Sequence, residues 1–153
     1  MPKGDKSYYK ALRLSRQDSY SSKEVSQLLE MSILQGNRKA SYALASWYLN
    51  GFNVRKNYKK AFNLLQKAVQ GGPEKGFDMY KDALLDVAVC YELGNGTDKD
   101  PQKAFCYYLL AAKNWDLQAL KELSRCFFWG IGVAKDRKIS SLIDEYSQCK
   151  TTS

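Results

Sequence analysis

The sequence predicts an all-α fold built from repeated helix–turn–helix units. Three observations predict it. A block of about 36 residues recurs three times, each copy spaces its apolar residues at helical intervals, and glycines recur at the turn between its two helices.

The first helix of each unit opens on a small residue, Ala40, Ala83 or Ala119, followed four positions later by an aliphatic, Leu44, Val87 or Leu123. A second small residue follows (Ala45, Ala88, Ser124), then an aromatic (Tyr48, Tyr91, Phe127). Spacings of four, one and three place all four on one helical face, with small side chains where a neighbouring helix must come close. The turn comes next. Gly51, Gly94 and Gly130 open it, and two residues later stand Asn53, Gly96 and Gly132. Both positions suit a positive φ, which glycine adopts freely and asparagine tolerates. Val54, Thr97 and Val133 then offer β-branched plugs for the loop.

The second helix of the middle unit starts at Asp100-Pro101, an N-cap followed by proline at the first helical position, and Asp136 takes the matching place in the third unit. Small residues recur seven apart along these helices: Ala61 and Ala68, Ala104 and Ala111, Ser140 and Ser147. The interval from Ala40 to Ala83 is 43 residues, seven more than the next. Seven residues are about two helical turns, so the stretch DMYKD before Ala83 is expected to lengthen the following helix at its front.

Upstream, Val25 and Ser32 fit the second-helix pattern from Ser22, and Tyr8, Ala11 and Leu12 mark a short, atypical first helix. At the far end, residues 136–149 are apolar only at Ile139, Leu142, Ile143 and Tyr146, whereas 101–113 are apolar nearly all round. A terminal helix and a sandwiched one should differ in that way. The organisation expected is one domain over 1–153, with a capping helix pair at 1–36 and repeats at 38–72, 78–115 and 117–149.

Composition narrows the chemistry. The 153 residues contain no histidine, which removes histidine-based nucleophilic catalysis, histidine metal sites and a histidine pH switch. The longest apolar run, 105–112, is far short of the ~20 residues that span a bilayer. The start, MPKGDKSYYKALRLSRQ, has no apolar stretch behind its charges, so no secretory signal is expected and a cytoplasmic location is. Cys90, Cys106, Cys126 and Cys149 form no CxxC pair and are expected to be reduced, buried thiols. Gly94-Asn95-Gly96 and Gly130-Ile131-Gly132 follow no strand and precede no P-loop lysine, so they read as repeat turns. Asp82, Asp86 and Glu92 have no histidine beside them, and no cofactor or metal is expected.

The formal charge of +8 is one-sided. Residues 1–72 carry 13 Lys and Arg against 4 Asp and Glu, and residues 73–153 carry 11 against 12. A basic half implies an acidic partner, a nucleic acid or an anionic surface.

The pattern of small, aliphatic, small and aromatic residues, the paired turn glycines and the second pair of small residues resembles the Sel-one-like repeat, a relative of the tetratricopeptide repeat. It covers residues 22–149 well and 5–21 as a degraded cap. The glycine that usually follows the conserved leucine is replaced by Ala45, Ala88 or Ser124, and the first GxG reads Gly51-Phe52-Asn53. The resemblance implies a right-handed α-solenoid of antiparallel helix pairs, about three full repeats plus an N-terminal capping pair, used as an adaptor. Bacterial members serve as scaffolds, host-interaction factors and immunity proteins bound to secreted toxins. Disulfide-stapled members place cysteines about eight apart, and this chain does not.

In related repeats the first helices line a concave groove. The partner-facing positions of the family fall here on Tyr42 and Ser46, Leu85 and Val89, Lys121 and Arg125. Positions further out toward the helix ends give Lys39 and Asn50, Asp82 and Glu92, Gln118 and Trp129, and the degraded first helix gives Lys6 and Lys10 with Arg13 a turn beyond. Leu85 and Val89 lie off the core stripe. Either they form an apolar floor between a basic wall and a mixed one, or they pack inward against a lengthened helix or loop. Lys3, Lys6, Lys10 and Arg13 form one stripe, read either as a solvated face or as that basic wall. Arg55, Lys56, Lys59 and Lys60 oppose the positive end of a helix dipole and are assigned to solubility, with a partner acid as the alternative.

The function expected is a non-enzymatic protein–protein interaction module, a bacterial immunity or adaptor protein with one dedicated partner that bears an acidic patch. Neither a small-molecule substrate nor membrane insertion is expected. The alternative is an RNA-binding helical repeat that uses the basic N-terminal half.

Overall fold

A short helix is marginal alone, so each helix here needs a defined start and a buried face. The computed structural model describes residues 4–114 and 116–151. Helix α1 (Asp5–Leu14) is pinned from outside its own sequence: the Ser32 hydroxyl donates to the Gly4 carbonyl at 2.6 Å, and Asn37 Nδ2 donates to Asp5 Oδ1 at 2.8 Å. Lys3 lies outside the described residues.

Side-chain caps start most of the others, each satisfying an orphan N–H. Ser21 accepts from the Glu24 N–H to start α2 (Ser22–Leu34), and Asn37 accepts from Ala40 to start α3 (Arg38–Asn50). Asn57 starts α4 (Tyr58–Val69) through the Lys60 N–H. After α5 (Tyr80–Leu93), Asp100 caps α6 (Pro101–Ala111) at the Lys103 N–H, and a 3-10 turn, Ala112–Asn114, follows. Asp116 caps α7 (Leu117–Trp129), and Asp136 accepts from Lys138 and Ile139 at the head of α8 (Arg137–Thr151). The all-α helical-repeat fold read from the sequence is the fold found, and the described residues hold no strand.

The chain divides into two compact units, Met1–Ala83 and Leu84–Ser153. In the first, α1 packs on α2, α2 on α3 and α3 on α4, around Tyr8, Ala11, Val25, Leu29, Ala40 and Leu44. In the second, α6 packs on α7 and α7 on α8, with Val87, Ala88, Cys90, Ala104, Tyr108 and Cys126 fully enclosed. A buried Leu or Val contributes about 1.5–3 kcal/mol. The small residues of the repeat are buried throughout, as their spacing requires: Ala40, Ala45, Ala61, Ala68, Ala83, Ala88, Ala104 and Ala119 have no exposed surface.

The turns behave as read. Gly132 has φ +68°, and a Cβ there would run into the carbonyl of Pro101 at the start of α6, so this glycine is required twice over. Asn53 replaces it in the first repeat at φ 59°, and its Nδ2 donates to the Tyr20 hydroxyl at 2.8 Å.

The surplus residues before Ala83 do not lengthen the helix by two turns. Helix α5 begins only three residues before Ala83, and the surplus lies in the link 70–79. Arg38 holds that link. Its Nε donates to the Ala68 carbonyl at 2.8 Å, one terminal nitrogen donates to the Gly72 carbonyl at 2.6 Å, and the guanidinium lies 5.6 and 5.5 Å from the Phe77 and Tyr80 ring centres. Phe77 is buried beneath it. Gly71, Gly72 and Gly76, all at positive φ, and Pro73 keep the link out of helix, and the Arg38 bonds, worth about 1.5–3 kcal/mol each from a charged donor, tie it to the end of α4.

Helix α8 packs through its small residues, as their spacing requires, and α6, read as sandwiched, is partly open. In α8 the buried positions are Ser140 and Ser147, while Ile139, Leu142 and Tyr146 are exposed. In α6, apolar on all sides, Leu109 and Leu110 are exposed.

Candidate protein-binding surface

The basic stripe of α1 is a built feature of the first unit. Lys6, Lys10 and Arg13 are exposed and, with Tyr9, line a cavity of about 300 Å³. Lys39, at the head of α3, places its Nζ 5.9 Å from the centre of the Tyr9 ring, so four cations gather around one tyrosine. Tyr9 stacks edge-on against buried Tyr8 at 5.5 Å, which ties the patch to the core. Such a surface offers several donors to carboxylates with an aromatic centre.

On α3, half-buried Tyr42 lies 6.3 Å from Phe77. Asn50 donates through Nδ2 to the Ser46 carbonyl at 2.9 Å, so those two polar residues satisfy each other. Asp82, half-buried, sits 3.5 Å from Lys81.

In the second unit the structure separates the expected pair. Leu85 is only 7% exposed and belongs to the core, so it is no apolar floor; Val89, one turn on, is 38% exposed. Glu92 and Arg125 are brought together, and Tyr108 joins them: Arg125 makes two bonds to the Glu92 carboxylate, at 2.9 and 2.7 Å, and the buried Tyr108 hydroxyl donates to Glu92 Oε2 at 2.8 Å. Arg125 also donates to Glu122 at 2.9 Å. The Arg125 bonds hold the Glu92 carboxyl below the usual carboxylate range, and the same bonds hold the guanidinium firmly protonated. Burial, then the bond to Glu92, raises the Tyr108 phenol. These charges are satisfied within the fold. Lys121 is exposed beside a cavity of about 290 Å³ lined by Leu117, Asp144, Ser147 and Gln148, and Trp129, 65% exposed, lies edge-on to Phe128 at 4.8 Å.

Sequence reading missed Tyr9 and Tyr108. Tyr9 stands between Lys6 and Lys10 on the same stripe, a signal that was available. The bond of Tyr108 to Glu92 joins two helices whose rotation no spacing reveals.

The repeat pattern has an outside match. The family model described as the Sel1 repeat matches residues 38–73, 81–114 and 117–140. The chain belongs to the Sel1 repeat family. Helical proteins of this family generally mediate protein–protein interaction as non-catalytic scaffolds. No curated protein matches this Sel1 repeat chain in sequence. Among solved structures, a protective antigen of uropathogenic Escherichia coli strains with an SLR fold is similar at a TM-score of 0.83 and 20% identity, over 97% of this chain and 31% of the antigen. A Sel1 repeat protein from Oxalobacter formigenes gives 0.79 at 22% identity, over 95% and 58% of the two chains. Cysteine rich protein B of Helicobacter pylori gives 0.57 at 21%, over 72% and 78%. These are likenesses of fold. The chain spans about a third of the antigen and somewhat over half of the Oxalobacter protein.

Proposed function

We propose that this Sel1 repeat protein is a non-enzymatic adaptor or immunity protein of a bacterium, cytoplasmic, with one dedicated protein partner that carries an acidic patch. The gathering of Lys6, Lys10, Arg13 and Lys39 around Tyr9 carries the reading, because it converts the one-sided charge of the sequence into one surface with an aromatic centre. Three exposed cations and a half-buried one around an aromatic fit a carboxylate-rich protein surface: the charges steer encounter and the ring supplies contact area. The ion pairs of Glu92 and Arg125 leave the second unit without a comparable unpaired cluster of one sign at those positions.

Affinity purification of the intact chain from its own cells, followed by mass spectrometry, tests the proposal. One protein should co-purify in near-stoichiometric amount, survive nuclease treatment, and be lost with Lys6→Glu, Lys10→Glu and Arg13→Glu combined. Recovery of RNA, with nuclease abolishing every association, refutes it in favour of a nucleic-acid reading.

A further inference from the structure

The first unit carries a second surface on the other side of α3. By helical periodicity Leu44 and Tyr48 lie across α3 from Tyr42 and Ser46. There a trough of about 410 Å³ runs between α2 and α4, with Ile33 and Leu34 on one wall, Leu44 and Tyr48 as floor, and Leu64 and Lys60 opposite. Leu34 is 88% exposed, and Met31, one turn back on α2, is 51% exposed.

At one end the trough opens into a charged mouth. Tyr48 and Lys60 line both the trough and a second cavity of about 640 Å³, which is completed by Val54, Arg55, Lys56 and Asn57. Lys60 Nζ rests 5.2 Å from the centre of the Tyr48 ring, at the junction. Among the described residues no carboxylate pairs with Arg55, Lys56, Lys59 or Lys60. Glu30 borders the trough and repels a carboxylate placed along it, so acidic groups are directed to the mouth.

We propose that this trough and mouth form a docking site for an amphipathic acidic segment of another protein, with aliphatic side chains in the trough and carboxylates on Arg55, Lys56 and Lys60. The arrangement matches groove recognition, in which apolar anchors one turn apart carry affinity and a flanking charge sets register. A nucleic acid suits it poorly. Its bases need an open aromatic face, and the one aromatic ring here, Tyr48, already carries Lys60. The site is separate from the α1 patch, and its identification as a protein site rests on the reading of the chain as an interaction module.

The test is fluorescence anisotropy of the purified intact chain with a fluorescein-labelled peptide, Leu-Ser-Ser-Leu-Ser-Asp-Asp-Asp. Saturable binding is expected, weakened at least tenfold by Leu34→Asp and by Arg55→Glu with Lys56→Glu. Leu34, Arg55 and Lys56 are exposed, and glutamate beside the α4 N-terminus suits the helix dipole, so the variants should melt like wild type. The combined Lys6, Lys10 and Arg13 reversal should leave peptide binding unchanged, which separates this site from the α1 patch. No binding overturns the proposal, as does equal binding of a peptide with serine in place of leucine. Displacement by decanoate as effective as by unlabelled peptide overturns it in favour of a fatty-acid site, and equal weakening by the α1 reversal reduces it to general charge attraction.

Discussion

The guanidinium of Arg125 grips the Glu92 carboxylate with two bonds, at 2.9 and 2.7 Å, across 33 positions of sequence. Removing the arginine leaves a largely buried carboxylate held by the Tyr108 hydroxyl alone. Arg125→Met is expected to cost about 1–3 kcal/mol at neutral pH. The folded Glu92 carboxyl titrates below its unfolded value of roughly 4.3. The pair's contribution is therefore full above that value and is lost as pH falls through the lower folded one. Melting curves of both proteins should differ most above the unfolded carboxylate value and converge as pH falls through the lower folded one. A gap constant with pH contradicts the assignment.

Leu85 and Val89 stand one turn apart on α5 with opposite fates. Leu85→Arg places an unpaired charge in the core and should cost about 3–5 kcal/mol. Val89→Arg extends into solvent and should stay within about 0.5 kcal/mol of wild type. Urea unfolding of the two variants decides it, and equal midpoints would show that the core boundary is misplaced.

Burial separates the cysteines. Cys90 and Cys126 are enclosed, and burial above all pushes each thiol up to about 11. Cys106 and Cys149 are exposed. At about pH 8 iodoacetamide should label Cys106 and Cys149 in the folded protein, and all four only in denaturant. Mass mapping that finds Cys90 or Cys126 modified under native conditions disproves the packing described.

Gly132 backs onto the Pro101 carbonyl. Gly132→Ala combines a left-handed backbone, costing about 1–2 kcal/mol, with a clash against main chain that cannot turn aside. Gly36 also has a positive φ, but a Cβ there meets nothing within 4 Å, so Gly36→Ala should bear the backbone cost alone. Thermal melts should rank Gly132→Ala clearly below Gly36→Ala.

Much of the fold was legible because its signals are local. Ala40, Leu44, Ala45 and Tyr48 announce a helix face and its close neighbour within nine residues, and Asp100-Pro101 announces a helix start within two. Gly71, Gly72 and Pro73 mark the break in the link 70–79, but its path is fixed by Arg38, some 30 residues upstream, acting on backbone carbonyls, which leave no trace in residue identity. Leu85 was ambiguous for another reason: repeat register gives the face of a helix, not what covers it. The α1 stripe of Lys6, Lys10 and Arg13 was visible in spacing, but the approach of Lys39 to Tyr9 depends on how Asn37 and Ser32 pin that helix. The trough beside Leu34 was missed, since its walls come from three helices with no shared motif.

The most direct measurement is the association rate with the co-purifying protein at low and high salt, for wild type and for Lys6→Glu with Lys10→Glu. An acidic partner met at the α1 patch predicts an on-rate at least tenfold slower in the variant at low salt, an off-rate little changed, and a difference that fades as salt rises. Equal on-rates at low salt would contradict the account.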